Sequence, residues 1–427
     1  MRRCLIVSPH FPPSTMAGVH RARHLVKALP AHGWEPTVIA VDPAFHIEPL
    51  DQELRGLVPQ NARIIETGAI PANWTAPFGL RGEIGLRGFF HLRAAIAREV
   101  AALRPEVVMI TGSPFYPMLL AGWIKRRFGV PVILDFQDPW ASKEGATRRH
   151  WTKSWLAHRL AVMLEPRALR AAAWVTSVSD RQNAELAERY PWLDTLRMSA
   201  VPIGGDPDDA AALRRVPAYV QESSSSSAKF DFNYVGTALP RAGPLLAILF
   251  EGLARLREVS PDLAGQIRLR FVGTSNQPGE SSDYRVVALT KAAGVADLVS
   301  ERPGRVPFVD ALRILASSHA VLMVGSDEPH YTASKIYPGL MSGRPFLSIF
   351  HAESSAHRVL SAAGGGAALA YHGEHDRERL ISRVSDGLAG LVTDPTSYGC
   401  ANPTAYAPFT ADAVAGQFAR IFEGTAA

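Results

Sequence analysis

Cysteine and long apolar runs are both scarce in this chain of 427 residues. Its two cysteines, Cys4 in an apolar stretch and Cys400 near the end, give no disulfide framework. No apolar run approaches the roughly 20 residues that a transmembrane helix needs. The stretch Cys4–Val7 is also too brief for the core of a signal peptide. The sequence therefore predicts a cytoplasmic protein without a membrane-spanning helix.

Metal-ligand spacings and nucleic-acid motifs are missing as well. Because no Cys/His cluster has zinc spacing, we expect no metal site and a metal-independent protein. The net charge of +5 comes without a recognisable nucleic-acid module, so nucleic acid is not an expected partner. Basic residues gather in the first half and include Arg21, Arg23 and Arg87. They indicate either a surface for anionic substrates or an anionic membrane leaflet, or ordinary solvated helix faces.

The order of apolar runs predicts the fold class. Short β-branched runs alternate with helical stretches along the chain, a pattern typical of α/β proteins with parallel sheets. Predicted strands in the first half are Cys4–Val7, Thr37–Val41, Arg63–Thr67, Val107–Thr111, Val130–Phe136 and Trp174–Ser177. In the second half they are Phe230–Val235, Arg268–Val272, Val321–Val324, Phe346–Phe350 and Ala367–Ala370, with helices at Leu245–Leu256 and Asp310–Ser317.

A break in this alternation falls near Gly205 and is followed by a serine run, Ser223–Ser227, which predicts a disordered loop. We predict an N-terminal Rossmann-like domain at residues 1–205 and a C-terminal Rossmann-like domain at 206–410. A last helix, at about 411–427, is assigned to the first domain. Two such domains would face a cleft at the carboxyl ends of their sheets, where a ligand is expected.

The segment Ser334–Pro345 is the most informative motif. It lies between two apolar runs and contains Lys335 and Pro338. Since proline is tolerated in the first turn of a helix, we expect a short helix that begins at or near Pro338. A loop that leads from a parallel strand into a helix presents N–H groups to phosphate, and Lys335 adds a full positive charge there.

Four other segments carry candidate chemistry. Ala17 and Gly18 follow the first strand, where small residues let a diphosphate approach the backbone. Asp135 and Asp138 close a buried strand, either as ligands for sugar hydroxyls or as a turn before a proline. Other candidates follow later strands: Gly236 with Arg241, and the loop Pro303–Phe308.

Together these segments resemble the retaining family 4 glycosyltransferases (group 1), which have the GT-B fold. The resemblance rests on the following runs: Phe11-Pro-Pro, Ala17–Arg21, Gly33-Trp34, Asp135–Trp140, Leu164-Glu165-Pro166-Arg167 and Ser334–Pro345. It implies that a sugar passes, with retention, from a nucleotide-diphosphate sugar to a saccharide, lipid-linked or small-molecule acceptor, in glycan or polysaccharide biosynthesis. No cofactor is implied beyond this co-substrate.

The resemblance also implies residue roles. The implied catalytic residues are Asp138, Lys335 and Arg241. Donor binding is implied for Ala17, Gly18, Gly236, Arg305, Val306, His330, Ser334, Lys335 and Ile336. Contacts on the acceptor side are implied for His20, Asp135 and Glu165.

One departure keeps other functions open. Many members of the family place two glutamates at positions that correspond here to His330 and Pro338, neither of which is a carboxylate. A divergent subgroup would explain this, as would a catalytically silent GT-B protein that binds nucleotide or serves as a scaffold. A sugar-nucleotide epimerase is a second alternative. Two segments, Phe78–Arg93 and Arg148–Leu160, mix large apolar with basic residues, which indicates either a peripheral contact with an anionic membrane or core-facing helices.

Overall fold

The computed structural model describes residues 1–141, 145, 149–209, 229–238, 240–275, 277, 282–328 and 335–426. The chain divides into two compact units. Unit 1 comprises Met1–Ile203 together with Ala411–Ala427, and unit 2 comprises Gly204–Thr410. The serine run predicted as a disordered loop lies outside the described residues. Among the described residues, no helix combines the length and the apolar character needed to cross a bilayer.

Unit 1 is built on a parallel sheet of seven strands in the order β3-β2-β1-β4-β5-β6-β7. The strands are β1 (Arg2–Val7), β2 (Trp34–Val41), β3 (Arg63–Thr67), β4 (Val107–Gly112), β5 (Val132–Phe136), β6 (Trp174–Ser177) and β7 (Met198–Ala200). Its helices are α1 (Val19–Ala28), α2 (Gln52–Gly56), α3 (Ala72–Thr75), α4 (Ile84–Arg87), α5 (Phe89–Leu103), α6 (Leu120–Phe128), α7 (Lys153–Leu169) and α8 (Asp180–Arg189). The strand order reverses between β1 and β4.

Unit 2 contains a parallel sheet of six strands in the order β10-β9-β8-β11-β12-β13. The strands are β8 (Phe230–Val235), β9 (Ile267–Val272), β10 (Val299–Arg302), β11 (Ala320–Val324), β12 (Phe346–His351) and β13 (Gly366–Tyr371). Its helices are α9 (Gly243–Val259), α10 (Pro261–Gly265), α11 (Val287–Ala292), α12 (Phe308–Ser317), α13 (Ile336–Met341), α14 (Ser355–Ala363), α15 (Arg377–Thr393), α16 (Pro395–Tyr398) and α17 (Pro403–Tyr406). Here the order reverses between β8 and β11.

The last helix, α18 (Ala411–Ala426), completes unit 1. It packs on α1, and its residues Val414, Phe418 and Phe422 join a core with Leu25 and Trp34. The Trp34 and Phe422 rings meet edge-on at 5.2 Å. Burial of such aromatic rings removes a large apolar area from water, which is what ties the end of the chain to the first sheet.

The α/β fold with two parallel sheets confirms the predicted fold class, and most predicted strands lie within two or three residues of the observed ones. Two strands were missed, β7 and β10. Both are short edge strands, and β10 reads Val-Ser-Glu-Arg, without the apolar run that marks a buried strand.

The helix expected to begin near Pro338 begins two residues earlier, at Ile336, and ends at Met341. Pro338 therefore occupies the first turn. Its missing N–H has no intrahelical partner there, so the proline does not break the helix.

Candidate functional site

The feature that links two distant parts of unit 2 is the contact between Lys335 and Gly236. Gly236 follows β8 with a φ of +143°, and its N–H donates to the Val272 carbonyl at 2.8 Å. The Lys335 side chain lies so close to the Gly236 Cα that an added Cβ would overlap Nζ, Cε and Cδ. Gly236 therefore serves two needs, a backbone angle that other residues rarely adopt and room for the lysine.

Lys335 has a second cation as its neighbour. Burial, followed by repulsion from Arg305, lowers the pKa of the Lys335 ammonium to about 8, although part of the residue remains exposed. Among the described residues, no carboxylate forms an ion pair with Lys335. Two neighbouring cations at the point where the strand order reverses favour an anionic ligand, which would relieve their repulsion.

The loop between β10 and α12 carries Arg305 and Val306. The Arg305 N–H donates to the Gln277 carbonyl at 3.1 Å, and the Ser275 N–H donates to the Pro303 carbonyl at 3.0 Å. These bonds join the loops that follow β9 and β10, so Arg305 is fixed at the same sheet edge as Gly236. Val306 is half-buried in this loop.

Ile336, by contrast, is buried in the core of unit 2. Packing accounts for its apolar side chain, and only its backbone is available for a ligand.

Arg241, predicted to bind diphosphate, contacts two carboxylates. Its Nε donates to Asp327 at 3.0 Å, and its NH1 lies 2.8 Å from a Glu328 oxygen. Asp327 and Glu328 follow β11, on the other side of the reversal point from Gly236. Part of the Arg241 charge is therefore neutralised within the protein, which makes Lys335 the stronger candidate for binding an anion.

The roles predicted for His330 and Ser334 lie outside the described residues, and they remain predictions.

In unit 1, Gly18 lies at the reversal point between β1 and β4. A Cβ added at Gly18 would be 3.1 Å from the Ser113 carbonyl, and the Gly18 carbonyl accepts from Gln137 at 3.2 Å. Gly18 thus allows the start of α1 to approach the loop after β4. Its neighbour Ala17 is exposed. The side chain of Ala17 therefore leaves room for a ligand to approach the backbone at this sheet edge.

Asp135 occupies a different position from the one predicted. Its carboxylate is fully buried and receives hydrogen bonds from Arg21 (3.1 Å), Thr111 (2.7 Å) and Thr176 (2.7 Å). Arg21 in turn donates to the carbonyls of Val201 and Pro202. This network connects α1 with β4, β5 and β6. Asp135 therefore stabilises the core and is not available to contact an acceptor.

Glu165 is likewise buried. One of its oxygens accepts from the Ala141 N–H at 3.2 Å, and the other accepts from Arg189 and from the Tyr190 hydroxyl, both at 2.8 Å. Burial and the nearby Glu165 carboxylate raise the pKa of Tyr190. These contacts assign Glu165 a structural role that holds α7 against α8.

Asp138 differs from both of these carboxylates because its side chain is exposed at the end of β5. Desolvation of the carboxyl by the surrounding protein atoms raises its pKa above the ordinary value. Asp138 is the exposed carboxylate after this strand, so a ligand can reach it, and its catalytic role stays a prediction.

Three of the basic residues considered for a surface are buried, whereas others of the first half, such as Arg93 and Arg98, are exposed. Arg21, Arg23 and the more distant Arg87 are all fully buried. Burial and then Arg23 lower the pKa of His20 to about 3, so its ring is neutral. A half-buried neutral ring can exchange hydrogen bonds with a hydroxyl, which leaves the acceptor-side prediction for His20 open.

Sequence reasoning missed one cluster completely. His10, His46 and Glu48 bring their side-chain nitrogen and oxygen atoms within 4.8 Å of one another. They come from loops that follow two different strands, so no short spacing reveals them. The pairing of β1 with β2 is what brings the two loops together.

Comparisons with known proteins agree with this architecture. Residues 17–204 match the glycosyl transferase 4-like domain. Similar solved structures include Anabaena Alr3699/HepE in complex with UDP and glucose, at 14% identity and a TM-score of 0.59, covering 99% of this chain and 100% of that one. A glycosyltransferase from Rickettsia africae ESF-5 has 14% identity and a TM-score of 0.55, covering 99% and 98%.

A trehalose-6-phosphate protein from E. coli, bound with UDP-2-fluoro glucose, has 12% identity and a TM-score of 0.61, covering 99% of each chain. No curated protein matches the sequence. At these identities the structural likeness establishes the fold. The chain therefore has the GT-B fold, and its residues 17–204 are similar to the glycosyl transferase 4-like domain.

Proposed function

We propose that this protein transfers a sugar from a nucleotide-diphosphate-sugar donor to a saccharide, lipid-linked or small-molecule acceptor, in glycan or polysaccharide biosynthesis. The observation that carries the proposal is the position of Lys335 against Gly236, beside Arg305, at the reversal point of the second sheet. Nucleotide ligands of doubly wound sheets bind at this place. The two positive charges of Lys335 and Arg305 complement the negative charge of a diphosphate.

Each group has a task in this proposal. The bond from the sugar C1 to the β-phosphate oxygen breaks, the acceptor oxygen forms the new bond to C1, and the proton of the acceptor hydroxyl passes to the departing diphosphate. Negative charge grows on the departing diphosphate, where Lys335 and Arg305 stabilise it. The chain's own cations do this in our proposal, without a metal ion. Removing one preorganised donor of this kind typically raises the barrier by about 3–4 kcal/mol. We assign Asp138 a contact with a hydroxyl of the acceptor or of the sugar. We also propose that the configuration at C1 is retained, as the family resemblance implies.

Uracil is the first base to test. The similar Alr3699/HepE was solved with UDP, and also with UDP-glucose. We propose that this chain binds the same class of donor.

The experiment is a thermal-shift series with UDP, GDP, ADP, TDP and CDP on the wild type, Lys335→Ala and a control, Lys291→Ala. Lys291 is an exposed lysine on α11 of the same unit. A ligand at 100 times its dissociation constant stabilises the folded state by about 2.7 kcal/mol. We expect one nucleotide to stabilise the wild type and the control but not Lys335→Ala. No stabilisation by any nucleotide would favour the scaffold function instead.

We also propose a peripheral contact with an anionic membrane, supported by one surface of unit 1. Its exposed apolar side chains are Trp74, Phe78, Trp151, Leu156, Leu160 and Met163. The Lys153 ammonium donates to the Gly79 carbonyl, which brings the start of α7 next to the Trp74–Phe78 segment. Exposed Arg149 precedes this helix, and exposed Arg159 lies on it. Aromatic and basic residues combined in this way are typical of interfacial binding.

Flotation with vesicles of phosphatidylcholine, with and without phosphatidylglycerol, tests this contact. The wild type should float with anionic vesicles at low salt and lose binding as salt rises. The double variant Trp151→Ser/Leu160→Ser should fail to float. Val259→Ser, which removes an apolar residue of similar exposure from unit 2, should leave binding unchanged. Equal recovery of both variants with the vesicles would refute the proposed surface.

A further inference from the structure

The cluster of His10, His46 and Glu48 is the best-defined group of metal-ligating side chains in the described part of the chain. The Nδ1 atom of His46 lies 2.7 Å from Glu48 Oε1, and Nδ1 of His10 lies 3.1 Å from the same oxygen. The His46 side chain is 1% exposed, against 10% for His10 and 13% for Glu48. The three groups thus converge in a nearly closed site with one accessible edge.

The hydrogen bonds of His46 indicate a cation at the centre of this cluster. Its Nε2 lies 3.2 Å from the Val41 carbonyl, which can only accept, so Nε2 carries a hydrogen. In the neutral ring, Nδ1 then presents a lone pair to the Glu48 carboxylate. Two electron-rich atoms at 2.7 Å require a proton or a metal ion between them. Histidines that bind metals commonly donate their other N–H to a backbone carbonyl, as His46 does.

The polar groups around Glu48 Oε1 also indicate a cation at this position. Besides the two imidazole nitrogens, the Ser14 hydroxyl donates to this oxygen at 2.5 Å and lies 3.2 Å from His10 Nδ1. Glu48 Oε2 accepts the Ile47 N–H at 3.2 Å. Three polar groups therefore converge on one oxygen. A metal ion bound by both nitrogens and Oε1 would leave the Ser14 hydroxyl as a supporting donor.

The backbone holds both loops in place. The Asp51 N–H donates to the Pro13 carbonyl at 2.7 Å, and Ser14 forms an antiparallel bridge with Leu50. The Thr15 hydroxyl donates to the Pro49 carbonyl at 3.0 Å. Because these bonds fix the loops on either side of the cluster, little conformational entropy is lost when a ligand closes it.

Three charged groups outside the cluster, Arg87, Glu83 and Lys153, set the charge balance around it. Arg87 interacts electrostatically with Glu48, but its guanidinium donates to the carbonyls of Phe45 and Ile70. Glu83 interacts electrostatically with His10 and Lys153. With Glu48 and Glu83 opposite Arg87 and Lys153, the surroundings are neutral overall, which leaves room for a cation.

We propose that His10, His46 and Glu48 form a site for a divalent transition-metal ion. Two imidazoles and one carboxylate are typical ligands of Zn²⁺, Co²⁺ and Ni²⁺, and the set leaves coordination positions for water. Mg²⁺ and Ca²⁺, which prefer oxygen ligands, should not compete. The site belongs to the loops of unit 1, and it is independent of the donor diphosphate assigned to Lys335. It replaces the expectation of a chain without a metal site.

The test uses the full chain, stripped with a chelator and then titrated with Co²⁺ and Zn²⁺. Bound Co²⁺ is followed by its visible absorption, and Zn²⁺ by calorimetry and by the melting temperature. The wild type should bind one ion per chain and melt at a higher temperature with Zn²⁺. Glu48→Gln, which preserves the shape of the side chain, and His46→Ala should each weaken binding by more than the 10–100-fold typical of supporting residues. His375→Ala, which removes an exposed histidine of unit 2, should bind as the wild type does.

Circular dichroism shows whether each variant folds. If His46→Ala does not fold, the test relies on Glu48→Gln. If the wild type gives no Co²⁺ absorption and no Zn²⁺ stabilisation, the cluster is a hydrogen-bonded ion pair and the proposal is wrong. Equal binding by Glu48→Gln and the wild type would also overturn it. Neither outcome affects the nucleotide experiment, whose ligand and variants are different.

Discussion

The Lys335 side chain lies directly against the Cα of Gly236, although the two residues are far apart in the sequence of unit 2. The glycine supplies both the space and the unusual backbone angle, while the lysine supplies the charge. We make four predictions from this contact and from other contacts within each unit.

Gly236→Ala should abolish the nucleotide-dependent rise in melting temperature, since the new Cβ displaces the Lys335 ammonium. A strained backbone angle alone costs about 1–3 kcal/mol of stability, so a control must separate the two effects. Gly343→Ala provides it. Gly343 also has a positive φ, +71°, but nothing lies within 4 Å of its added Cβ. Both variants should lose stability in urea unfolding, and Gly236→Ala alone should lose nucleotide binding. If Gly236→Ala binds nucleotide as the wild type does, Lys335 does not contact the ligand.

Nucleotide affinity should fall as the pH rises above about 8. Burial and Arg305 lower the pKa of Lys335 to about 8, so above this pH the free protein must take up a proton to bind a diphosphate. Calorimetry of UDP binding between pH 7 and about 9.5 measures the effect. Lys335→Arg keeps its charge throughout, and its affinity should stay constant. The same pH dependence in both proteins would assign the titration to another group.

Lys335→Met should stabilise the ligand-free protein at pH 7. The folded pKa lies below the ordinary lysine value of 10.5, so the unfolded chain binds more protons between about pH 8 and 10.5. The cost of the buried charge is fully present below pH 8 and disappears towards pH 10.5. Urea unfolding should therefore show a difference between variant and wild type that shrinks across this range. A less stable variant at pH 7 would mean that Lys335 packs favourably without ligand.

Asp135→Ala should destabilise unit 1 by about 3–5 kcal/mol, because it leaves the Arg21 guanidinium buried without its carboxylate. The matched control is Glu185→Ala, which breaks the pair of exposed Arg181 and half-buried Glu185 on α8 and should cost less than about 1 kcal/mol. Unfolding followed by circular dichroism measures both. Similar small losses in the two variants would show that the core network tolerates an unpaired arginine.

The sequence was sufficient for the fold because most strands of the two sheets carry their own signal. Runs such as Cys4–Val7 and Phe346–Phe350 are apolar and lie between helices with a clear apolar stripe, and the structure places them in parallel sheets. The edge strand β10 lacked such a run, and this is why it was missed.

The site was less predictable, since a carboxylate at the end of a strand can point into the core or away from it. Asp135 and Asp138 read alike in sequence, but Asp135 is buried under Arg21 while Asp138 is exposed. Their difference is a matter of side-chain direction along one strand and its turn, which depends on what packs above them.

By itself the sequence determined the α/β architecture, the small residues at the strand ends and the presence of Lys335 where a diphosphate site is proposed, because these depend on local periodicity and motifs. Tertiary structure alone decided that Gly236 receives Lys335, that Arg241 is occupied by Asp327 and Glu328, and that two histidines and a glutamate meet in unit 1. Such contacts join residues far apart in the chain. They exist only when the register of the sheet brings separate loops to one edge.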